Sequence, residues 1–315
     1  MEMRKVFGNT LAEIMEKDTR IVVLDADLGR ANGTGGLKER FPERAFNVGV
    51  AEQNMASVAA GLASYGFIPF ISSFTPFVSR RICDQAAISI AYADMNVKIV
   101  GTDPGIAAEL NGGTHMSTED VAVMRSIPHM LVFEPADNVE LKAAIPQIIS
   151  HEGPVYMRIF RKEISDISDA GYKFDLYKAS ILREGEDVTI LSSGIMVREA
   201  IGAAEILEGK GIKAEVINVH TIKPLDEKTI IESAKKTDAV VTVENHSKIG
   251  GLRSAVCEAL MENYPVVLRS IGFNDIFGEV GRFQELRQKF GFTAENIAEK
   301  AMEAIKLKKS RKRGC

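Results

Sequence analysis

Apolar runs alternate with amphipathic segments along most of the chain. Residues 3–17 carry an apolar stripe at helical spacing, and residues 21–27 form an apolar run that ends in two acids. A buried strand followed by a helix, repeated several times, is typical of a parallel sheet covered on both faces. We therefore predict an α/β fold for the first half. Its further strands are predicted at 68–74, 97–101, 130–133 and 155–160, with helices at 76–93 and from about 137.

Residues 44–66 contain the most distinctive helical pattern. Their apolar positions recur at roughly helical spacing, and Gly66 lies where a helix would end in a left-handed cap. We predict a buried helix with one carboxylate, Glu52, near its beginning. An ionised carboxylate is costly to bury without a partner. On periodicity alone, a first-turn acid that faces water remains the alternative.

A second alternation begins after an irregular segment. Residues 162–186 lack clear periodicity, which predicts a linker with one edge strand. The length of 315 residues also favours two domains. We predict a first domain over 1–165, a linker over 166–186 and a second, mostly parallel α/β domain over 187–315. Its strands are predicted at 188–191, 214–219, 239–243 and 266–271, and its helices at 196–209, 226–235, 250–263 and 282–306.

Composition narrows the class of protein. The chain is 45% hydrophobic and 26% charged with a net charge of −4, which argues against nucleic acid as its main partner. The three cysteines are far apart in sequence, so we expect a reduced, cytoplasmic setting. Neither a signal peptide nor a membrane span is predicted, because there is no apolar segment near the start and no run of 18 apolar residues. The basic run over 306–313 is interpreted as a solvated terminus.

Chemically capable side chains follow the predicted strands of the first domain. Ligands of open α/β sheets bind outside the carboxyl ends of the strands. One acid, one imidazole, two guanidinium groups and two phenyl rings suit a phosphorylated substrate and a flat heteroaromatic cofactor. On the residues alone, packed aromatic rings and surface ion pairs remain alternatives. The side chains concerned are those of Glu52, Phe74, Phe77, His115, Arg158 and Arg161.

Several motifs resemble, in order and at matching spacing, the pyrimidine-binding domain of transketolases. The second half resembles the C-terminal domain of the same family, so the resemblance covers essentially the whole chain. A single motif of this kind would be weak, whereas six in register are specific. The matching segments are 49–55, 74–77, 112–115, 124–128, 134–137 and 158–161 in the first half, and 244–253 and 277–281 in the second.

The resemblance implies a role for each matching side chain. Glu52 is similar to the acid that hydrogen-bonds the N1′ atom of the aminopyrimidine of thiamine diphosphate. Phe74 and Phe77 match the rings that pack on this pyrimidine. The remaining matches concern the substrate: His115 and Asn111 for its hydroxyl groups, and Arg161 with its neighbour Arg158 for its phosphate.

One expected motif is missing. In this family a Gly-Asp-Gly motif in a preceding domain holds the diphosphate and its divalent metal, Mg²⁺ or another ion, and this chain has no Asp-Gly pair. The chain therefore resembles the C-terminal subunit of a split transketolase. We expect it to be inactive without an N-terminal partner subunit, and the family implies self-association in an α2β2-type assembly. No metal ligands are predicted here, because the histidines lack suitable spacing to carboxylates or cysteines.

Two departures leave the sugar open. Asn111 stands where the family normally has an aspartate, and Asp103 lies where a histidine usually follows the third strand. The resemblance implies transfer of a two-carbon ketol unit from a ketose phosphate to an aldose phosphate. Rival interpretations are the beta subunit of a 2-oxo-acid dehydrogenase, a deoxyxylulose phosphate synthase-like enzyme, and a non-catalytic regulatory or scaffold paralogue.

Overall fold

The predicted alternation of strands and helices is present in the fold. A computed structural model describes residues 1–169 and 171–313, and Cys315 lies outside them. The described residues form two mostly parallel sheets with helices packed against them, which confirms the predicted fold class. Within this part of the chain, no helix is both long enough and apolar enough to cross a bilayer.

The first sheet has seven strands. Their spatial order is β10-β5-β6-β4-β3-β1-β2, and all neighbours are parallel except β10 and β5. The strands are β1 (Ile21–Asp25), β2 (Ala45–Asn47), β3 (Ile68–Phe74), β4 (Lys98–Thr102), β5 (Leu131–Phe133), β6 (Val155–Ile159) and β10 (Thr221–Lys223). The helices of this half are α1 (Met3–Met15), α2 (Gly29–Asn32), α3 (Leu37–Arg40), α4 (Glu52–Ser64), a π-helix (Gln85–Tyr92), a 3₁₀-helix (Gly105–Asn111), α5 (Asp120–Ser126) and α6 (Asn138–Ser150).

The second sheet has five strands in the order β12-β11-β8-β9-β7, with β7 antiparallel at one edge. The segment predicted as a linker with an edge strand contains β7. The strands are β7 (Ser180–Arg183), β8 (Val188–Ser192), β9 (Ala214–Asn218), β11 (Ala239–Ser247) and β12 (Val267–Phe273). The helices are a 3₁₀-helix (Gly194–Met196), α7 (Val197–Glu208), α8 (Glu227–Thr237), α9 (Leu252–Asn263), α10 (Phe283–Lys289) and α11 (Ala294–Arg313).

Both faces of the first sheet are buried. Successive side chains of a strand point to opposite faces, and Phe70 and Ile71 of β3 accordingly belong to different apolar cores. The core around Phe70 includes Leu11 of α1, whereas the core around Ile71 includes Met55 of α4. This double burial explains why the strands of this sheet are continuous apolar runs.

Several elements differ from the sequence predictions, and the helix predicted over 76–93 is a shorter π-helix, Gln85–Tyr92. The helix predicted over 44–66 begins only at Glu52, and Val50 before it is 76% exposed. Within α4 only one face is buried, because Met55 and Ala59 are buried whereas Val58 is 38% exposed. Gly66 does adopt the predicted left-handed conformation, with φ of 88°. The single helix predicted over 282–306 is divided into α10 and α11 near Gly291, where φ is 72°. Strand β10 was not predicted, because three residues carry no readable period.

Strand β10 links the two halves of the chain. It comes from the second half but pairs with β5 of the first sheet, with Thr221 opposite Phe133. The second half therefore completes the first sheet. The domain boundaries at 165 and 187 stay a prediction.

A buried ionic cluster fixes the junction between the halves. Its centre is Arg158 on β6, which is fully buried. Arg158 donates from Nε to Asp120 (2.6 Å), from Nη1 to Glu134 (2.6 Å) and from Nη2 to the carbonyl oxygen of Asn245 in the second half (2.8 Å). Ser193, also in the second half, donates to Glu134 at 2.8 Å. We call Arg158, Asp120, Glu134 and Ser193 the Arg158 cluster.

The electrostatics of the Arg158 cluster depend on its one cation. Burial opposes ionisation of Asp120, but the charge of Arg158, together with the hydrogen bonds from Arg158 and Tyr156, lowers the pKa of this carboxyl overall. Burial dominates at Glu134 and raises its pKa, although Arg158 acts against it. Removing the cation would leave two carboxyl groups buried without compensation.

We predict that Arg158→Met lowers the free energy of unfolding by about 3–5 kcal/mol, the range for breaking a buried ion pair. Urea denaturation measures this change. The control is Arg183→Met on the edge strand β7, whose partner Glu208 is 67% exposed, and we expect a loss of less than about 1 kcal/mol there. A loss of similar size in both variants would contradict the role of the cluster.

Candidate active site

The loops that follow β3, β4 and β6 meet at one edge of the first sheet. These strands are parallel neighbours, so their carboxyl ends lie together. The ring centroids of Phe74 and Phe77 are 6.1 Å apart, and that of His115 lies 5.9 Å from Phe74 and 5.2 Å from Phe77. Arg161 has its guanidinium carbon 5.2 Å from the centre of the Phe74 ring. Four of the predicted site residues are therefore brought together.

Glu52 joins this group through a residue that the sequence analysis missed. It is the first residue of α4, is 3% exposed, and accepts a hydrogen bond from Nη1 of Arg81 at 2.8 Å. A carboxylate in a first helical turn is also favoured by the helix dipole. The guanidinium carbon of Arg81 lies 4.0 Å from the centre of the Phe77 ring. Arg81 thus contacts both the acid and the aromatic rings.

Arg161 is held by an acid that marks a departure from the family pattern. Its Nε lies 2.7 Å from Oδ2 of Asp103, and its backbone N–H donates to Oδ1 at 3.2 Å. Asp103 directly follows β4 in a left-handed conformation, with φ of 55°. Burial raises the pKa of Asp103 to about 6, and the positive charge of Arg161 only partly opposes this shift. At neutral pH, part of the charge of Arg161 is already compensated.

Contacts with the second half hold the loop that carries His115. The side-chain oxygen of Asn245 accepts from the backbone N–H of Ile106 at 3.0 Å, and its amide donates to the carbonyl oxygen of Pro104 at 2.8 Å. Further along the loop, a Cβ on Gly113 would lie 2.4 Å from the carbonyl oxygen of Gly278. Glycine is therefore required at 113, and the second half determines where this loop lies.

The remaining predicted residues divide into two cases. Asn111 is exposed at the end of the 3₁₀-helix, so its role toward a substrate hydroxyl group stays a prediction. Arg158 does not line the site, because its side chain is fully buried and bonded within the Arg158 cluster. The prediction that Arg158 binds substrate is therefore corrected, because a strand-end arginine cannot be told from a buried one by sequence position.

His246 lies between the two halves. Its Nε2 accepts from the backbone N–H of Ala122 at 3.3 Å, and its Nδ1 lies 2.7 Å from the carbonyl oxygen of Ser247. Burial lowers the pKa of His246 to about 4, so the ring is neutral at pH 7. This contact agrees with the structural or interface role favoured from the sequence.

Within residues 1–169 and 171–313, no group of three His, Cys, Asp or Glu side chains could hold a metal ion.

The two sheets and the polar edge of the first define a class of protein. Two α/β domains in this order, with a buried acid, two phenyl rings and a histidine meeting at the carboxyl edge, have the organisation of a pyrimidine-binding domain followed by its C-terminal companion. The family described as transketolase, pyrimidine binding domain, matches residues 1–165, and transketolase, C-terminal domain, matches residues 177–297. The chain belongs to the transketolase family.

Individual relatives refine this assignment. The chain is 56% identical to the 6-deoxy-6-sulfo-D-fructose transketolase subunit SqwH of a Clostridium species, with 98% of this chain and 96% of the relative covered. It is 34% identical to one subunit of the apulose-4-phosphate transketolase of Phocaeicola vulgatus, with 96% and 97% covered. A solved structure titled "Split gene transketolase, inactive beta4 tetramer" superposes with a TM-score of 0.91 at 42% identity, covering 98% and 99% of the two chains.

The raised pKa of Asp103 makes stability depend on pH. At pH values between the ordinary pKa of an aspartate and about 6, the folded chain binds a proton at Asp103 that the unfolded chain does not. Stability therefore falls as the pH rises through this range, and ionised Asp103 destabilises the fold above about pH 6. Asn tolerates the left-handed backbone equally well. We therefore expect Asp103→Asn to gain stability over the natural protein, by on the order of 2 kcal/mol, between about pH 4 and pH 6.5.

Urea denaturation at several pH values measures this gain. The matched control is Asp18→Asn. In the natural protein the hydrogen bond from Arg20 lowers the pKa of the Asp18 carboxyl. Its pH trend must have the opposite sign, because an acid with a lowered pKa stabilises the fold as the pH rises. A stability difference for Asp103→Asn that does not vary with pH would show that this carboxyl is not perturbed.

Proposed function

We propose that the chain is the C-terminal subunit of a thiamine diphosphate-dependent transketolase. Together with an N-terminal subunit that holds the diphosphate and a divalent metal such as Mg²⁺, it transfers a two-carbon ketol unit from a ketose phosphate to an aldose phosphate. The observation that carries this proposal is the position of Glu52, a buried acid beside Phe77 at the carboxyl edge of the sheet. Membership of the family supports it.

The residues at this edge fit the pyrimidine half of the cofactor. A carboxyl group can share a proton with a ring nitrogen through a hydrogen bond. The faces of phenyl rings pack against a flat heteroaromatic ring. Glu52 and the pair Phe74 and Phe77 provide these two kinds of contact. When bound, thiamine diphosphate supplies the carbon nucleophile and the electron sink that ketol transfer requires. The metal would be held mainly by the partner subunit.

The chain's own residues would perform three tasks. Glu52 holds a proton at the pyrimidine ring, which makes it the acid–base group of the site. His115, with its Nδ1 2.9 Å from the Thr114 hydroxyl, donates to or accepts from a sugar hydroxyl group. Asn111 on the same loop forms a hydrogen bond with a further hydroxyl group of the sugar. Arg161 binds the charged end of the sugar by charge-assisted hydrogen bonds.

Self-association is part of the proposal. Helix α4 and the π-helix pack on each other and leave several large apolar side chains in water. We propose that a second copy of the chain covers this face, because several large apolar side chains that face water on two packed helices are typical of an interaction surface. The solved structure with 42% identity is titled a β4 tetramer. The exposed side chains are Val58 (38%), Tyr65 (87%), Ile88 (57%) and Tyr92 (85%).

A sulfonated ketose is a second candidate substrate. The relative at 56% identity is a transketolase subunit for 6-deoxy-6-sulfo-D-fructose. A sulfonate carries one negative charge, whereas a phosphate monoester carries nearly two at pH 7. Asp103 already compensates part of the charge of Arg161, which favours the singly charged group.

The test of the proposed function is turnover by the chain mixed with its N-terminal partner and thiamine diphosphate. We expect Glu52→Ala to reduce kcat by about 100-fold to 10,000-fold at saturating cofactor, the range for removing an acid–base group. Glu13→Ala, at an exposed position of α1, is the control and should leave kcat unchanged. Near-normal turnover by Glu52→Ala would remove Glu52 from the mechanism.

The role of Arg161 is tested with donors of different charge. We expect Arg161→Ala to raise the KM for fructose 6-phosphate and for 6-deoxy-6-sulfo-D-fructose by about 10-fold to 100-fold, because a charge-assisted hydrogen bond is lost. The KM for L-erythrulose, an uncharged ketose, should not change. Equal losses with all three donors would contradict recognition of the charged end by Arg161.

The preference between the two anions is tested at Asp103. Asp103→Asn removes the competing negative charge and keeps the left-handed backbone. We expect kcat/KM for the phosphate donor to rise relative to that for the sulfonate donor. An unchanged ratio would show that Asp103 does not influence the choice of anion.

A further inference from the structure

We propose that Arg81 occupies the pyrimidine site in the cofactor-free subunit and leaves the face of Phe77 when the aminopyrimidine binds. The inference rests on the proposed function. It assigns Arg81, a residue that none of the matched motifs singled out, as a positioning residue that keeps the acid and the ring in place until the cofactor arrives.

The contacts of Arg81 are those of a stacked, hydrogen-bonded ligand. Its Nη1 donates to Oε1 of Glu52 at 2.8 Å, and its guanidinium carbon lies 4.0 Å from the centre of the Phe77 ring. A cation this close to a phenyl ring is within the range of cation–π attraction. One planar group therefore contacts two of the three side chains that the proposed function assigns to the pyrimidine, Glu52 and Phe77.

The guanidinium group resembles an aminopyrimidine in its recognition chemistry. Both are flat and delocalised, and both present N–H groups in the plane of the ring or fork. The Glu52 carboxylate accepts from the guanidinium and can share a proton with the pyrimidine ring nitrogen, and a phenyl ring can pack on the face of either group. Because Glu52 and Phe77 serve both groups, the two cannot occupy this place together.

The free subunit has a physical need for such a group. Glu52 is only 3% exposed, and a carboxylate buried without a partner is strongly destabilising. Arg81 satisfies it in the absence of cofactor. The adjacent Arg80 does not, because it pairs with Glu119 at 3.1 Å.

Arg81 is also able to move. Its side chain is 43% exposed, whereas that of Glu52 is 3% exposed. Because water already surrounds nearly half of the Arg81 side chain, its guanidinium group can move away from Glu52 into water. It lies in the turn segment between β3 and the π-helix, outside both regular elements. Exchange of Arg81 for the pyrimidine would leave Glu52 hydrogen-bonded in both states.

This exchange has two opposite consequences for a variant without the guanidinium. The cofactor-free chain should lose stability, because Glu52 remains buried without its cation. The assembled protein should bind thiamine diphosphate more tightly, because the cofactor no longer displaces a side chain. A residue that merely supported the fold, or that bound the cofactor directly, would not produce this combination.

The experiment compares Arg81→Ala with a matched control, Lys236→Ala. Lys236 is 38% exposed and pairs with Glu215, which is 1% exposed, in the second half of the chain. Thermal unfolding of the cofactor-free chain and calorimetric titration of the reconstituted complex with thiamine diphosphate are measured for both. We expect both variants to lower the Tm of the free chain, and only Arg81→Ala to tighten cofactor binding, by about tenfold.

Arg81→Gln protects the test against a variant that fails to fold. Gln keeps an N–H donor for Glu52 but has no charge to place over Phe77, so it should also tighten binding. Weaker or unchanged binding in the Arg81 variants, with a natural complex that binds thiamine diphosphate, would overturn the exchange alone. No binding by the natural complex would overturn the proposed function together with the exchange.

Discussion

The buried guanidinium of Arg158 is the interaction on which the arrangement of the molecule depends. It holds Asp120 and Glu134 of the first half and the backbone of Asn245 in the second, where no water can replace it. Asn245 in turn anchors the loop that leads to His115. The position of His115, which we propose contacts substrate, therefore depends on a buried charge outside the site. A single uncompensated cation would be too costly here, which explains why two carboxyl groups accompany it.

Buried acids are also paired with arginines at the carboxyl edge of the first sheet, but these arginines are partly exposed. Glu52 and Asp103 are buried acids whose cations, Arg81 and Arg161, still reach solvent. A cation with access to water can leave its acid or bind a ligand, whereas the fully enclosed Arg158 can do neither. The contrast separates arginines that fix the fold from arginines that are available for binding. It also agrees with our proposal that Arg81 satisfies Glu52 until the cofactor binds, whereas Arg161 stays paired with Asp103.

Much of this organisation could be predicted from the sequence. The central strands of the first sheet are buried on both faces, so they appear as apolar runs, and the parallel order places Phe74, His115 and Arg161 at one edge. What could not be predicted depends on pairs distant in sequence. The Glu52–Arg81 contact spans 29 residues, the Arg158–Asn245 contact spans 87, and β10 is a strand only because β5 is beside it. The spacing of apolar residues within one segment cannot reveal contacts between segments that are far apart in the sequence.

The central claim is that Glu52 and Phe77 form the pyrimidine half of a cofactor site shared with a second subunit. A structure of the chain in complex with its N-terminal partner and thiamine diphosphate tests this claim most directly. The account predicts the aminopyrimidine on Phe77, a ring nitrogen within hydrogen-bond distance of the Glu52 carboxyl group, and Arg81 withdrawn from the ring. Cofactor bound elsewhere, with Arg81 still between Glu52 and Phe77, would contradict it.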